Sequence, residues 1–223
     1  MKKTLPATLG SSDISTNNTA ISPVIGIVLL ILLTVLLAGI TVSAVYGKDY
    51  SSSLQPAPMA VIEVESVVGG VPYIGYPHGI KYEKNFIVLQ HKSGNPLHTN
   101  STYIIITGEG ASTIGTQSHY TIPKGEISII YESLEYGGKI PQYKKRNADL
   151  SDGVWSAGEK LVLNGDDSIN WIAESSVLVS INGMSNTSKN YGLKQNSVIT
   201  IKVFDRDTNK IIAEAKHKVT PAK

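Results

Sequence analysis

The 223-residue chain has no cysteine. That excludes a disulfide scaffold, a thiolate zinc site and a cysteine nucleophile. It also lacks an excess of either charge: 20 basic residues against 18 acidic ones give a net charge of +2. A nucleic-acid-binding domain shows a basic stripe or a high pI, so no nucleic-acid partner is expected. The usual catalytic signatures are missing too. There is no Gly-x-Ser-x-Gly elbow and no His-Glu-x-x-His, and no phosphate-cradling spacing follows Gly69-Gly70 or Gly137-Gly138. His78, His91, His98, His119 and His217 are scattered. His91 has no second histidine or carboxylate at ligand spacing and reads as a turn histidine bonding backbone groups. Asp166-Asp167 reads as a solvated turn whose side chains bond their own backbone. No catalytic residue, metal site or cofactor is expected, and the chain is not expected to be an enzyme. Apolar residues at 41%, with aromatic residues present, exclude a disordered chain.

What the sequence does have is one long apolar block. From Val24 to Tyr46 it reads VIGIVLLILLTVLLAGITVSAVY, with no charged residue between Ser22 and Gly47. As a helix this run rises about 35 Å, enough to cross a hydrocarbon core of roughly 30 Å. It is apolar on every face, which excludes an amphipathic surface helix. Ser22 is placed to cap it and Pro23 to occupy the first helical position. Tyr46 and Tyr50 suit a membrane–water boundary. Gly26 and Gly39 would allow close approach of another helix. Lys2 and Lys3 against a single Asp13 put the N-terminus in the cytoplasm and the C-terminal region outside.

Beyond the block, Ser51–Pro58 is a linker by composition: three serines, then two prolines. The remainder has β-rich runs separated by Gly, Asn, Asp and Pro. Met59–Val68, Asn85–His91, Thr102–Thr107, Glu126–Tyr131, Lys160–Leu163, Ser176–Ile181, Ser197–Asp205 and Lys210–Val219 read as strands. Ile199, Ile201 and Val203 alternate with Thr200, Lys202 and Phe204, so one face of that strand is buried. Glu135–Asp152 reads as a long exposed loop. The fold class expected is α+β: a long hydrophobic N-terminal helix followed by an antiparallel, immunoglobulin-like β-sandwich.

The block admits three readings. It is an uncleaved signal anchor, an ordinary signal peptide, or a leader of a third kind. Val42-Ser43-Ala44 offers a secretory cleavage site, but the apolar run exceeds the 7–15 residues of an h-region. A Ser-Pro cap would also have no role in a discarded signal. The third reading rests on Thr19-Ala20-Ile21-Ser22-Pro23-Val24-Ile25-Gly26 followed by the apolar helix. This stretch resembles the class III leader junction of archaeal type IV pilins: a short polar leader, a small residue, a hydrophobic residue, then Ser-Pro-Val-Ile-Gly. The resemblance implies that a prepilin peptidase cuts between Ala20 and Ile21. A charged residue often precedes the small residue at that cut; here it is Thr19. Bacterial type IV pilins carry glutamate at the fifth mature position, and Ile25 in its place resembles the archaeal pattern.

Looser similarities follow in order. Phe86–Leu97 resembles a strand-and-turn signature of the same family, Val154–Leu161 its Trp-x-Ala-Gly-acidic turn, and Val203–Ile212 a closing hairpin. The resemblance implies residues 1–20 as leader, 21–50 as the membrane and filament-core helix, 51–58 as linker and 59–223 as the extracellular domain. Val24, Ile25, Gly26, Leu29, Leu32, Leu33, Leu36 and Gly39 would line the filament core. The implied partners are further copies of the chain through their helices, the prepilin peptidase, an assembly ATPase and a polytopic platform protein, with the membrane as host before assembly. The expected function is that of a surface-filament subunit serving adhesion. An archaellin-like swimming filament and a membrane-anchored binding domain that never polymerises are the alternatives. Asn100 and Asn186 head sequons that would remain extracellular, while a third, at Asn17, would leave with the leader.

Overall fold

The computed structural model describes residues 23–46, 56–71, 81–116, 119–168 and 175–222. The chain divides into two compact units, one ending at Tyr50 and the other beginning at Ser51. In the first, helix α1 spans Pro23–Tyr46. Residues 47–50 and the cap Ser22 lie outside the described residues, as do the cut at Ala20 and Ile21, the Asn17 sequon and linker residues 51–55.

The second unit is built mostly of strands: β1 (Ala60–Gly69), β2 (Phe86–Gly94), β3 (Leu97–His98), β4 (Thr102–Ala111), β5 (Ile114–Thr116), β6 (His119–Thr121), β7 (Lys124–Tyr131), β8 (Val154–Trp155), β9 (Lys160–Asn164), β10 (Val177–Ile181), β11 (Gly192–Leu193), β12 (Val198–Asp205), β13 (Lys210–Lys218) and β14 (Thr220–Pro221). All eight runs read as strands from the sequence are strands. The two- and three-residue pieces went unread, because so short a run has no period to detect. One sheet has the order β14-β1-β2-β9, antiparallel except where β14 runs parallel to β1. The larger sheet has the order β10-β7-β4-β12-β13, with β11 also pairing β4, and is antiparallel throughout. Within it, β12, β4, β7 and β10 stand in Greek-key order.

Alternate residues of a strand point to opposite faces, and here the inward sets of both sheets merge. Val67, Ile87, Leu89, Leu161 and Leu163 from the smaller sheet share one cluster with Ile104, Ile106, Ile127, Ile129, Val179, Ile199, Ile201 and Val203 from the larger. Trp155, Tyr131 and Tyr191 are its largest fully buried members. Gly94, at φ +112°, ends β2 where a side chain would run into the Met59 carbonyl, so the turn after His91 requires glycine.

Glu135–Asp152 is not the exposed loop expected. It contains a short helix, α2 (Gln142–Arg146), and a 3-10 turn over Ala148–Asp152, with Tyr143, Asn147 and Leu150 buried. Asn147 explains the folding-back. Its side-chain amide donates to the Val162 carbonyl at 3.0 Å and accepts from the Val162 N–H at 2.7 Å. That reproduces the pairing of a neighbouring strand on the free edge of β9, where unpaired backbone groups would otherwise face outward. Three consecutive basic residues, Lys144 to Arg146, disguised the segment as solvated.

Candidate functional site: an unpartnered apolar helix

Pro23 opens α1, and every sequence-proposed core position from Val24 to Gly39 lies on it. At helical spacing Ile25, Leu29, Leu32, Leu36 and Gly39 form one stripe, and Gly26, Leu33 and Ile40 belong to another. Both stripes are apolar. Val24, Ile25, Leu29, Leu32, Leu33 and Leu36 are each more than half exposed, from 54% to 67%. Nothing lies within 4 Å of where a side chain on Gly26 or Gly39 would begin. Pro23–Ser43 has a mean hydropathy of 2.9 and is long and apolar enough to cross a membrane.

The two threonine hydroxyls of the helix are satisfied within it. Thr34 donates to the Ile31 carbonyl at 2.8 Å, and Thr41 reaches the Leu37 and Ala38 carbonyls at 3.0 and 2.9 Å. An apolar medium therefore meets no unpaired hydroxyl at either threonine, which removes the penalty such groups carry in lipid. The surface can take up apolar neighbours on all sides and has no group suited to chemistry.

The β domain concentrates its polar chemistry in the interior. Asp167 is fully buried. It accepts from the Asn164 N–H at 2.6 Å and from the Tyr131 hydroxyl at 3.1 Å, and it pairs with Arg146 of α2. The Tyr131 and Tyr191 hydroxyls meet at 2.8 Å. Asp166 beside it pairs with Lys139. Asp167 is therefore not the solvated turn residue expected. Burial raises its carboxyl to about 7, against the lowering pull of Arg146 and the Asn164 N–H. Burial likewise raises Tyr131, Tyr143 and Tyr191 above the ordinary phenol value, with the Asp167 charge adding to it. Gly138 is no simple loop glycine: a side chain there would meet Asp167 and Tyr143 at 2.6 and 2.7 Å. The network joins residues 36 and 60 positions apart, so no local spacing announces it. Its members bond one another inside the core, which marks it as structural.

His91 also lies inside, on β2 rather than in a turn. Its Nε2 meets the Asn95 carbonyl at 3.0 Å, and its ring stands edge-on to Trp155 at 5.9 Å. The Gly158 N–H donates to the His91 carbonyl at 2.7 Å, and the His91 N–H to the Glu159 carbonyl at 3.0 Å. The segments Phe86–Leu97 and Val154–Leu161 thus pack against one another. Among the described residues, no three His, Asp or Glu side chains come together as a metal would require.

Asn100 and Asn186 are both exposed. Their sequons differ in the third residue: Ser188 is exposed, whereas Thr102 is buried and donates to the His98 carbonyl at 2.7 Å. No family model matches this chain, and no curated protein matches it.

Proposed function

We propose that this chain is the precursor of an archaeal type IV pilin-like subunit, a structural protein rather than an enzyme. The observation that carries the reading is α1: 24 residues without a charge and apolar on every face, exposed from Pro23 to Ser43. Such a rod is satisfied in lipid because its backbone is internally bonded. It is equally satisfied among copies of itself, so transfer from bilayer to filament costs little solvation free energy. Packing and close backbone approach at Gly26 and Gly39 then govern association. Contacts that do not close on themselves yield a helical polymer.

Residues 1–20 are the leader, removed by a prepilin peptidase before Ile21, because Lys2, Lys3 and Asp13 would carry charge into an apolar bundle. The remaining domain is an immunoglobulin-like sandwich that forms the outer surface and serves adhesion. Two sheets, antiparallel but for the β14–β1 pair, with a shared core and a Greek-key order in the larger one, support that assignment. The membrane holds the precursor with its N-terminus in the cytoplasm. An assembly ATPase and a platform protein extract it into an extracellular filament.

The deciding measurement is the intact mass and N-terminus of protein sheared from cells. A start at Ile21 in filamentous material is the expected result. A start at Val45 would mark ordinary secretion, and a full-length monomer would mark a plain anchor. Swimming lost on gene deletion would make the filament an archaellin.

A further inference from the structure

One face of the larger sheet packs on the core, and the other is apolar at one end. Pair registers align Leu178 of β10, Ile130 of β7 and Ile105 of β4 in a single row, which ends in Lys202 and Glu214. The adjoining row holds Tyr103, Phe204 and Ile211. The Tyr103 and Phe204 rings stack at 4.8 Å and 9°. Leu178 and Ile211 are 37% and 49% exposed, and the other four are half-buried. A water-facing sheet surface ordinarily carries polar residues at these positions. The smaller sheet does so at its outward pairs Glu63–Lys92 and Glu65–Lys160.

We propose that this apolar end of the larger sheet seats the β domain of a second copy of the chain within the assembled polymer, an inference that rests on the filament reading. Charge and area select that occupant. Lys202 is neutralised by Glu214 at 3.5 Å, so the apolar rows present no net field to a polyanion or a lipid headgroup. Other charges on this face, among them Glu109, Glu126, Lys216 and Lys218, are of mixed sign, and Glu109 pairs with Lys194. Six partly covered side chains offer a few hundred Å² at most, on the order of the largest patch of an ordinary monomer. A stable complex of free partners needs about 800 Å² from each side. The face is therefore too small to retain a partner from solution. It is large enough where another contact already raises the effective concentration, and association of the α1 helices does that.

The test uses full-length protein assembled in cells. A photoreactive benzoylphenylalanine replaces Phe204, or Glu65 as a control on the smaller sheet. Irradiated filaments should give covalent dimers from position 204, with the adduct on a β-domain peptide of a second copy, and none from position 65. No adduct at 204, equal yield at both positions, or an adduct to lipid, to α1 or to a foreign protein would overturn the contact. Separately, Leu178→Lys should raise the subunit released on heating filaments about tenfold, equivalent to 1.4 kcal/mol per contact, with protease resistance of the domain kept. Unchanged release counts against the proposal. Absence of filaments in wild-type cells would remove the filament reading and this contact with it, whereas filaments without the adduct remove the contact alone.

Discussion

Helix α1 and the β domain solve the same problem in opposite ways. Each must leave few polar groups unpaired. The helix does so locally, with Thr34 and Thr41 reaching carbonyls three or four residues away. The β domain does so across long stretches of chain: Asn85 accepts from the N–H groups of Gly70 and Leu193, the latter 108 positions distant, and Thr220 donates to the Val67 carbonyl 153 positions back. A locally satisfied element can change its surroundings without breaking a bond. A domain tied together non-locally holds one structure or none. Their tolerance of substitution should therefore differ, and so should the property lost.

The largest effect on assembly is expected at the middle of the helix. Leu32→Asp places a charge where the translocon scale assigns about 2.5–3.5 kcal/mol to an aspartate. On the proposed filament reading, filament yield by electron microscopy should fall to background while the β domain keeps its circular dichroism and protease resistance. Normal filaments would break the comparison. The converse variant, Trp155→Ala, empties a fully buried site at about 3–5 kcal/mol. It should lower the melting temperature of the β domain and leave membrane insertion of α1 unchanged.

Arg146→Ala sharpens the contrast through pH. The raised Asp167 carboxyl means that the folded state holds its proton up to about 7, while the unfolded chain releases it near 3.8. Stability from this group is thus fully present below the unfolded value and is lost as pH rises from about 4 to 7, with a slope of at most about 1.4 kcal/mol per pH unit. Arg146 opposes that loss by favouring the carboxylate. Its removal should cost little at pH 4 and most at pH 8, measured as chemical denaturation midpoints. An equal cost at both values would mean that Asp167 does not exchange its proton with Arg146 in view. The groups around it are Tyr131, Tyr191, Asp166 and Tyr143. The smallest effect is expected from Asn147→Ala, which leaves the Val162 N–H and carbonyl without partners at about 1–3 kcal/mol. Urea midpoints and light scattering would read it.

The same division explains what could be read from the sequence. The helix announces itself through composition alone, and Val24 to Tyr46 needs no partner to be recognised. The long strands follow from period two, as in Ile199, Ile201 and Val203. What escaped is non-local. Nothing near Asp167 reveals that Tyr131 and Arg146 will meet it, and the basic run Lys144 to Arg146 concealed the burial of Tyr143 and Asn147. His91 reads as a turn residue and is instead buried on β2, because its cover comes from Trp155, 64 positions on.

The Asn147 amide bears on how copies of this protein can meet. A sheet grows sideways by recruiting strands onto its open rim, the route by which β proteins clump. Here that rim is plugged at Val162 by a side chain dressed as a backbone, and at that residue a neighbour finds no free pair of groups to extend. Crowded domains can then touch without knitting together.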